Sequence, residues 1–200
     1  MLLDDLLAEI RGCTACAAHL PLGPRPVVQA SPRSRVVLLG QAPGTAVHRS
    51  GVPWDDDSGK RLRSWLGVDD ATFYNPDKFA ILPMGLCYPG RSTSGGDAPP
   101  RPECAPLWHP PVLGALTSPP LRLLIGMYSQ RHYLGRRRKK TLTLTVQSHE
   151  EYLADNIFPL PHPSWRVRGW MRRNPWFEQA VLPRLHAEVH RAISTTATAQ

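Results

Sequence analysis

Cys13-Thr14-Ala15-Cys16, Cys87 and Cys104 hold all four cysteines of this 200-residue chain. In a reducing compartment, thiols at such spacing bind metals or react more often than they form disulfides. Four thiolates make up the usual ligand set of a [4Fe–4S] centre, and they equally suit a tetrahedral zinc ion. A second group of residues able to do chemistry follows two apolar runs. Gly40-Gln41-Ala42-Pro43-Gly44 comes directly after Arg35–Leu39, and His162-Pro163-Ser164 comes just after Ile157–Leu160. Alone, each loop says little, because glycine often only satisfies a turn. Together they say more, since open α/β sheets bind ligands at the carboxyl ends of their strands.

The elements that must carry these loops are legible as short apolar runs. Residues 35–39, 79–82, 121–126 and 157–160 read as buried strands of a parallel sheet. Leu2 to Ile10 has helical spacing with Gly12 as its stop, and Met127 to Leu134 forms another helix. A helix begins near Ser58, whose side chain is placed as N-cap. The segment from Asn174 to Ile193 sets Phe177, Val181, Leu185 and Val189 on one stripe and forms a closing helix. Residues 17–34 read as an extended loop. Strands alternating with helices predict a single-domain α/β/α sandwich around a short, mostly parallel sheet. Residues 1–193 form that domain, and residues 194–200 are a flexible tail.

Net charge is +8, which suits a polyanionic partner. The 22 prolines sit among plentiful apolar residues, so they indicate ordered loops rather than disorder. No apolar run reaches the length of a membrane span. The acidic start, Asp4-Asp5, lacks the basic region of a secretion signal, so the expected address is the cytoplasm. The expected state is a monomer. Arg136-Arg137-Arg138-Lys139-Lys140 is either a solvated loop or a phosphate-contacting one.

The motifs resemble those of the uracil-DNA glycosylase superfamily. Gly40–Gly44 is similar to its first signature and His162-Pro163-Ser164 to its second. Gly51-Val52-Pro53-Trp54 resembles an element of the iron–sulfur branch, often called family four, and the four cysteines resemble that branch's cluster ligands. The resemblance implies a DNA base-excision glycosylase. Its partner would be DNA carrying uracil or another deaminated base, flipped out of the stack. It implies that Cys13, Cys16, Cys87 and Cys104 hold a structural [4Fe–4S] cluster, with zinc as the alternative. It implies that His162 donates a hydrogen bond to the departing base, helped by backbone N–H groups around Gly40, Gln41 and Ala42. Trp54 would stack on the flipped base, and Ser164 would line its pocket. Arg166 would enter the vacated stack or, alternatively, contact phosphate. Arg168, Arg172 and Arg173, interleaved with Trp165, Trp170 and Trp176, extend a basic aromatic surface.

The chain departs from the family pattern at three places. Ala42 stands where the best-known branch has a water-positioning aspartate, and Val47 and His48 stand where iron–sulfur relatives have acidic residues. His48 is therefore the candidate for orienting water, with Asp55 as substitute, although Asp55-Asp56-Asp57 also suits a helix cap. Pro83 replaces a uracil-reading asparagine, which leaves the preferred base open. The loop from Cys87 to Cys104 lacks the histidine that one branch uses to trap the abasic sugar. Two other functions fit parts of the sequence. One is a non-catalytic binder of damaged or single-stranded DNA. The other is a nucleotide-binding enzyme, although Gly40–Gly44 lacks the Lys-Ser/Thr ending of a phosphate loop.

Overall fold

In a computed structural model, which describes residues 2–93 and 95–194, four parallel strands form one sheet in the order β2-β1-β3-β4. They are β1 (Val36–Leu39), β2 (Phe79–Ile81), β3 (Leu121–Ile125) and β4 (Ile157–Leu160). Leu38 pairs with Ile81 on one side and Leu123 on the other, and Ile125 pairs with Leu160. Side-chain alternation then builds two cores. Val36 and Leu38 face a cluster with Phe79, Leu123 and Phe158, whereas Val37 and Leu39 face another with Ala80, Leu124 and Ile157.

Helices cover both faces. On the first pack α3 (Asp57–Leu66), α4 (Asp70–Phe73), α7 (Leu142–Gln147) and α10 (Leu182–Ser194), through Leu62, Phe73, Val146 and Leu185. On the second pack α1 (Leu3–Arg11), α5 (Cys104–Gly114), α6 (Met127–Leu134) and α8 (Glu150–Leu153), through Leu7, Val112, Leu134 and Tyr152. Helices α2 (Thr45–Ser50) and α9 (Val167–Arg173) follow the two signature loops. The result is the predicted α/β/α sandwich, with all four strands parallel.

Some boundaries differ from the sequence expectation. Asp56, not Ser58, caps α3, because its carboxylate accepts the Gly59 N–H at 2.7 Å. The closing segment is broken into a π-helical turn at Phe177–Val181 and then α10, yet Phe177, Val181, Leu185 and Val189 are all buried as one stripe. Ser194 closes α10 and so belongs to the helix rather than to the expected tail, and residues 195–200 lie outside the described residues. No helix among the described residues is long and apolar enough to cross a membrane.

Candidate active site and thiol cavity

Strand β1 has β2 on one side and β3 on the other, so the loops leaving β1 and β3 diverge. A crevice opens at such a point. Here it is a cleft of about 690 Å³, lined by residues that follow each of the four strands. Gln41 to Gly44 come from the β1 loop, Pro83 from β2, Gly126 to Tyr128 from β3, and His162, Ser164, Trp165 and Arg166 from β4. The two sequence signatures therefore meet, as the topology requires.

Trp54 also lines the cleft, with its ring centroid 5.8 Å from that of His162. Its backbone takes φ 57°, a left-handed conformation costly for a bulky side chain. Two hydrogen bonds hold the turn there. The half-buried Tyr74 hydroxyl donates to Pro53 O at 3.1 Å, and buried Arg63 donates to Trp54 O at 3.3 Å. Arg63 is itself anchored to Asp70 at 2.6 Å. Gly40 lies behind the indole: a Cβ there would come within 2.8 Å of the Trp54 ring. Its part in the site is to let that ring approach.

His162 is half-buried, and loss of water pushes its imidazole down to about 4. At neutral pH the ring is uncharged and carries one N–H donor. Arg61 fixes the loop by donating to Pro163 O at 2.6 Å, and Val167 N donates to Ser164 O at 3.0 Å.

Neither His48 nor Asp55 is among the residues lining the cleft. Val47 is, and a helix turns about 100° per residue, so its neighbour faces elsewhere. The His48 ring lies 6.0 Å from that of buried Tyr88. Ser58 lines the cleft instead of capping its helix. Sequence reasoning took Asp56 only as part of a helix cap and did not single out Asp97, Met127 or Tyr128 for the site, yet the fold delivers all four to the cleft.

The basic run divides by alternation. Arg137 pairs with Asp155 and Lys139 with Glu151, whereas Arg138 and Lys140 line the cleft beside Arg166. Trp165 is 73 % exposed at the same rim, and its ring lies under the Arg166 guanidinium at 5.2 Å. Trp170 and Trp176 pack on the core near Phe177. Pro83 gives the cleft an apolar stretch of wall. Its carbonyl accepts from the neutral His109 ring at 3.1 Å, and the Tyr133 hydroxyl donates to the other ring nitrogen at 2.6 Å.

Cys13, Cys16, Cys87 and Cys104 are unbridged thiols that line one small cavity with Leu20, Leu86 and Trp108. The Leu86 N–H points at Cys104 Sγ from 3.3 Å, and burial pushes that thiol up to about 12. Among the described residues, no group of three or more His, Cys, Asp or Glu is gathered closely enough to hold a metal ion. The thiols surround a space; they do not meet at a point.

An open parallel sheet with a deep cleft at its carboxyl edge defines an α/β protein built to take a small ligand there. Residues 27–186 match the family model of the uracil DNA glycosylase superfamily, and the chain belongs to that superfamily. Its members are DNA glycosylases, hydrolases of the bond between base and sugar.

Proposed function

We propose that this chain removes uracil or another deaminated base from DNA by hydrolysing the N-glycosidic bond. One observation carries the reading: His162, Trp54 and the Gln41–Gly44 loop share a cleft of about 690 Å³. That space admits one extruded nucleotide. Trp54 supplies a stacking face, and the uncharged His162 supplies an N–H toward the base as it takes on negative charge. Arg138, Lys140 and Arg166 give the rim the charge to hold phosphates. The test is release of free base from single- and double-stranded oligonucleotides bearing uracil, hypoxanthine or xanthine. The second reading is a non-catalytic binder, favoured by the Ala42 methyl that lines the cleft where relatives carry a carboxylate. Tight binding of every damaged oligonucleotide without release would support it.

We further propose that the chain falls in the iron–sulfur branch. Cys13, Cys16, Cys87 and Cys104 would hold a [4Fe–4S] cluster. The donor types suit it, although the thiols are not drawn together around a single metal position: all four line one apolar cavity, and a backbone N–H is directed at Cys104. Bound there, the group would be structural, joining α1 to α5. The purified protein should be brown and contain iron. Stoichiometric zinc without iron after anaerobic purification would defeat the proposal. Because binding couples to folding at such sites, Cys104→Ala should lower soluble yield.

Arg166 tests how the duplex is handled. Extruding a base costs a few kcal/mol in a matched duplex and less in a single strand. A side chain filling the gap offsets that cost only where a stack exists. Arg166→Ala should therefore slow cleavage of a matched duplex far more than of single-stranded DNA. Equal losses, with a salt slope of binding shallower by about one, would make Arg166 a phosphate contact.

A further inference from the structure

Hydrolysis needs a group to hold and deprotonate water, and Ala42 has no side chain for that task. Two carboxylates line the cleft among the described residues, Asp56 and Asp97. Asp56 is occupied by the cap of α3, where it accepts the Gly59 N–H at 2.7 Å. Among the described residues, the Asp97 carboxylate caps no helix. It lies on the loop between the third and fourth cysteines, and the fold carries it back onto the first signature. Arg91 and Asp97 form an antiparallel bridge, with Ala98 N donating to Gly90 O at 2.8 Å and Ser92 N to Gly96 O at 2.9 Å. Gly95 and Gly96 take φ of 86° and 85°, so the reversal is built on residues without a Cβ penalty. The hairpin is tied to the signature by Gln41, whose amide donates to Ala98 O at 3.4 Å. It also touches the second signature loop, since a Cβ on Gly96 would lie 3.6 Å from the Arg166 guanidinium. Asp97 Oδ2 itself comes within 3.5 Å of where a Gly44 Cβ would be.

We propose that Asp97 is the general base that positions and deprotonates the hydrolytic water, doing what Ala42 cannot. This rests on the glycosylase reading. In the step, the C1′–N bond breaks and its electron pair leaves with the base, toward the His162 N–H. The water oxygen bonds to C1′, its proton passes to the Asp97 carboxylate, and the base anion is protonated by solvent. The surroundings suit a base. Partial loss of water raises the Asp97 carboxyl above the ordinary aspartate value, Arg91 opposes the rise, and nearby Asp56 adds to it. Asp55 does not line the cleft, and Asp57 is exposed beside Lys60.

The experiment compares wild type, Asp97→Asn, Asp97→Ala and, as control, Asp57→Asn. It measures single-turnover release of whichever of uracil, hypoxanthine or xanthine the wild type removes. Affinity for DNA bearing an abasic site is measured alongside. General-base loss predicts both Asp97 variants slower by about 10²-fold, with affinity and melting temperature retained. Asparagine preserves the shape of the carboxylate and one accepting oxygen but cannot take the proton. A full rate in Asp97→Asn with a loss only in Asp97→Ala would make the residue a hairpin brace and overturn the proposal. Full rates in both would overturn it as well. No release by the wild type from any substrate would sink the glycosylase reading and this proposal with it.

Discussion

Single-turnover release of base by His162→Ala is expected to fall by about 10²–10³-fold, the loss typical for removing one donor aimed at developing negative charge. The size follows from how the ring is prepared. Burial holds it uncharged down to about pH 4, so at neutral pH it offers an N–H without first losing a proton. It is packed between the Trp54 ring and Gly126, whose Cβ, if present, would lie 3.4 Å from that of His162. Arg61 pins the following carbonyl. Little reorganisation is left for the moment of reaction, which is where such donors gain their effect. Two further outcomes separate this from a structural loss. Affinity for undamaged DNA should barely change, because the basic groups at the rim are elsewhere in the cleft wall. The wild-type rate should also show no inflection near pH 6.5 from this ring, since its proton is gained only near 4. A cleavage rate unchanged in His162→Ala would remove the residue from the mechanism.

What the sequence made legible was whatever depends on local pattern. The strands were found within a residue or two because each is a mostly apolar run with side chains buried on both faces, a signal independent of partners. The stripe Phe177, Val181, Leu185 and Val189 survived the break in its helix, because a π-turn shifts the backbone without moving the buried side. Helix α5 escaped notice for the opposite reason. Pro110 and Pro111 inside it remove backbone donors and read locally as a loop. Burial of Trp108 and Val112 in the core shared with Leu3, Leu7 and Ile10 overrides that preference. In the site, the signature loops and Trp54 could be read because the resemblance lies in contiguous residues. Asp97 could not. It reaches Gly44 through a hairpin whose only sequence mark is a pair of glycines, and that mark does not say where the hairpin lands. His48 failed as a cleft residue for a similar reason: spacing alone did not say which face of α2 would turn inward.

The same dependence on tertiary approach makes Gly59 the most fragile position near the cleft. Gly59→Ala is expected to destabilise the fold by at least about 3 kcal/mol, the upper range for overpacking a filled interior. A Cβ at this residue would lie 1.8 Å from Trp54 O and 2.7 Å from Trp54 C, so the obstruction is backbone and cannot rotate away. Trp54 cannot retreat either. Its left-handed φ is held by Arg63 and Tyr74, and its ring fills the space that Gly40 leaves open. Relief requires α3 to move off the turn. That would break the Asp56 cap at Gly59 N and shift Leu62 and Leu66, both fully buried in the core. The melting temperature should fall by roughly 6–12 °C for a domain of this size. Any folded fraction should lose its Trp54–His162 contact and with it most cleavage. Gly114→Ala is the matched control. It closes α5 with nothing within 4 Å of the added carbon, so helix propensity alone should leave stability unchanged or slightly higher. Equal melting temperatures for Gly59→Ala and wild type would show that the turn carrying Trp54 moves freely and that its stacking face is not preset.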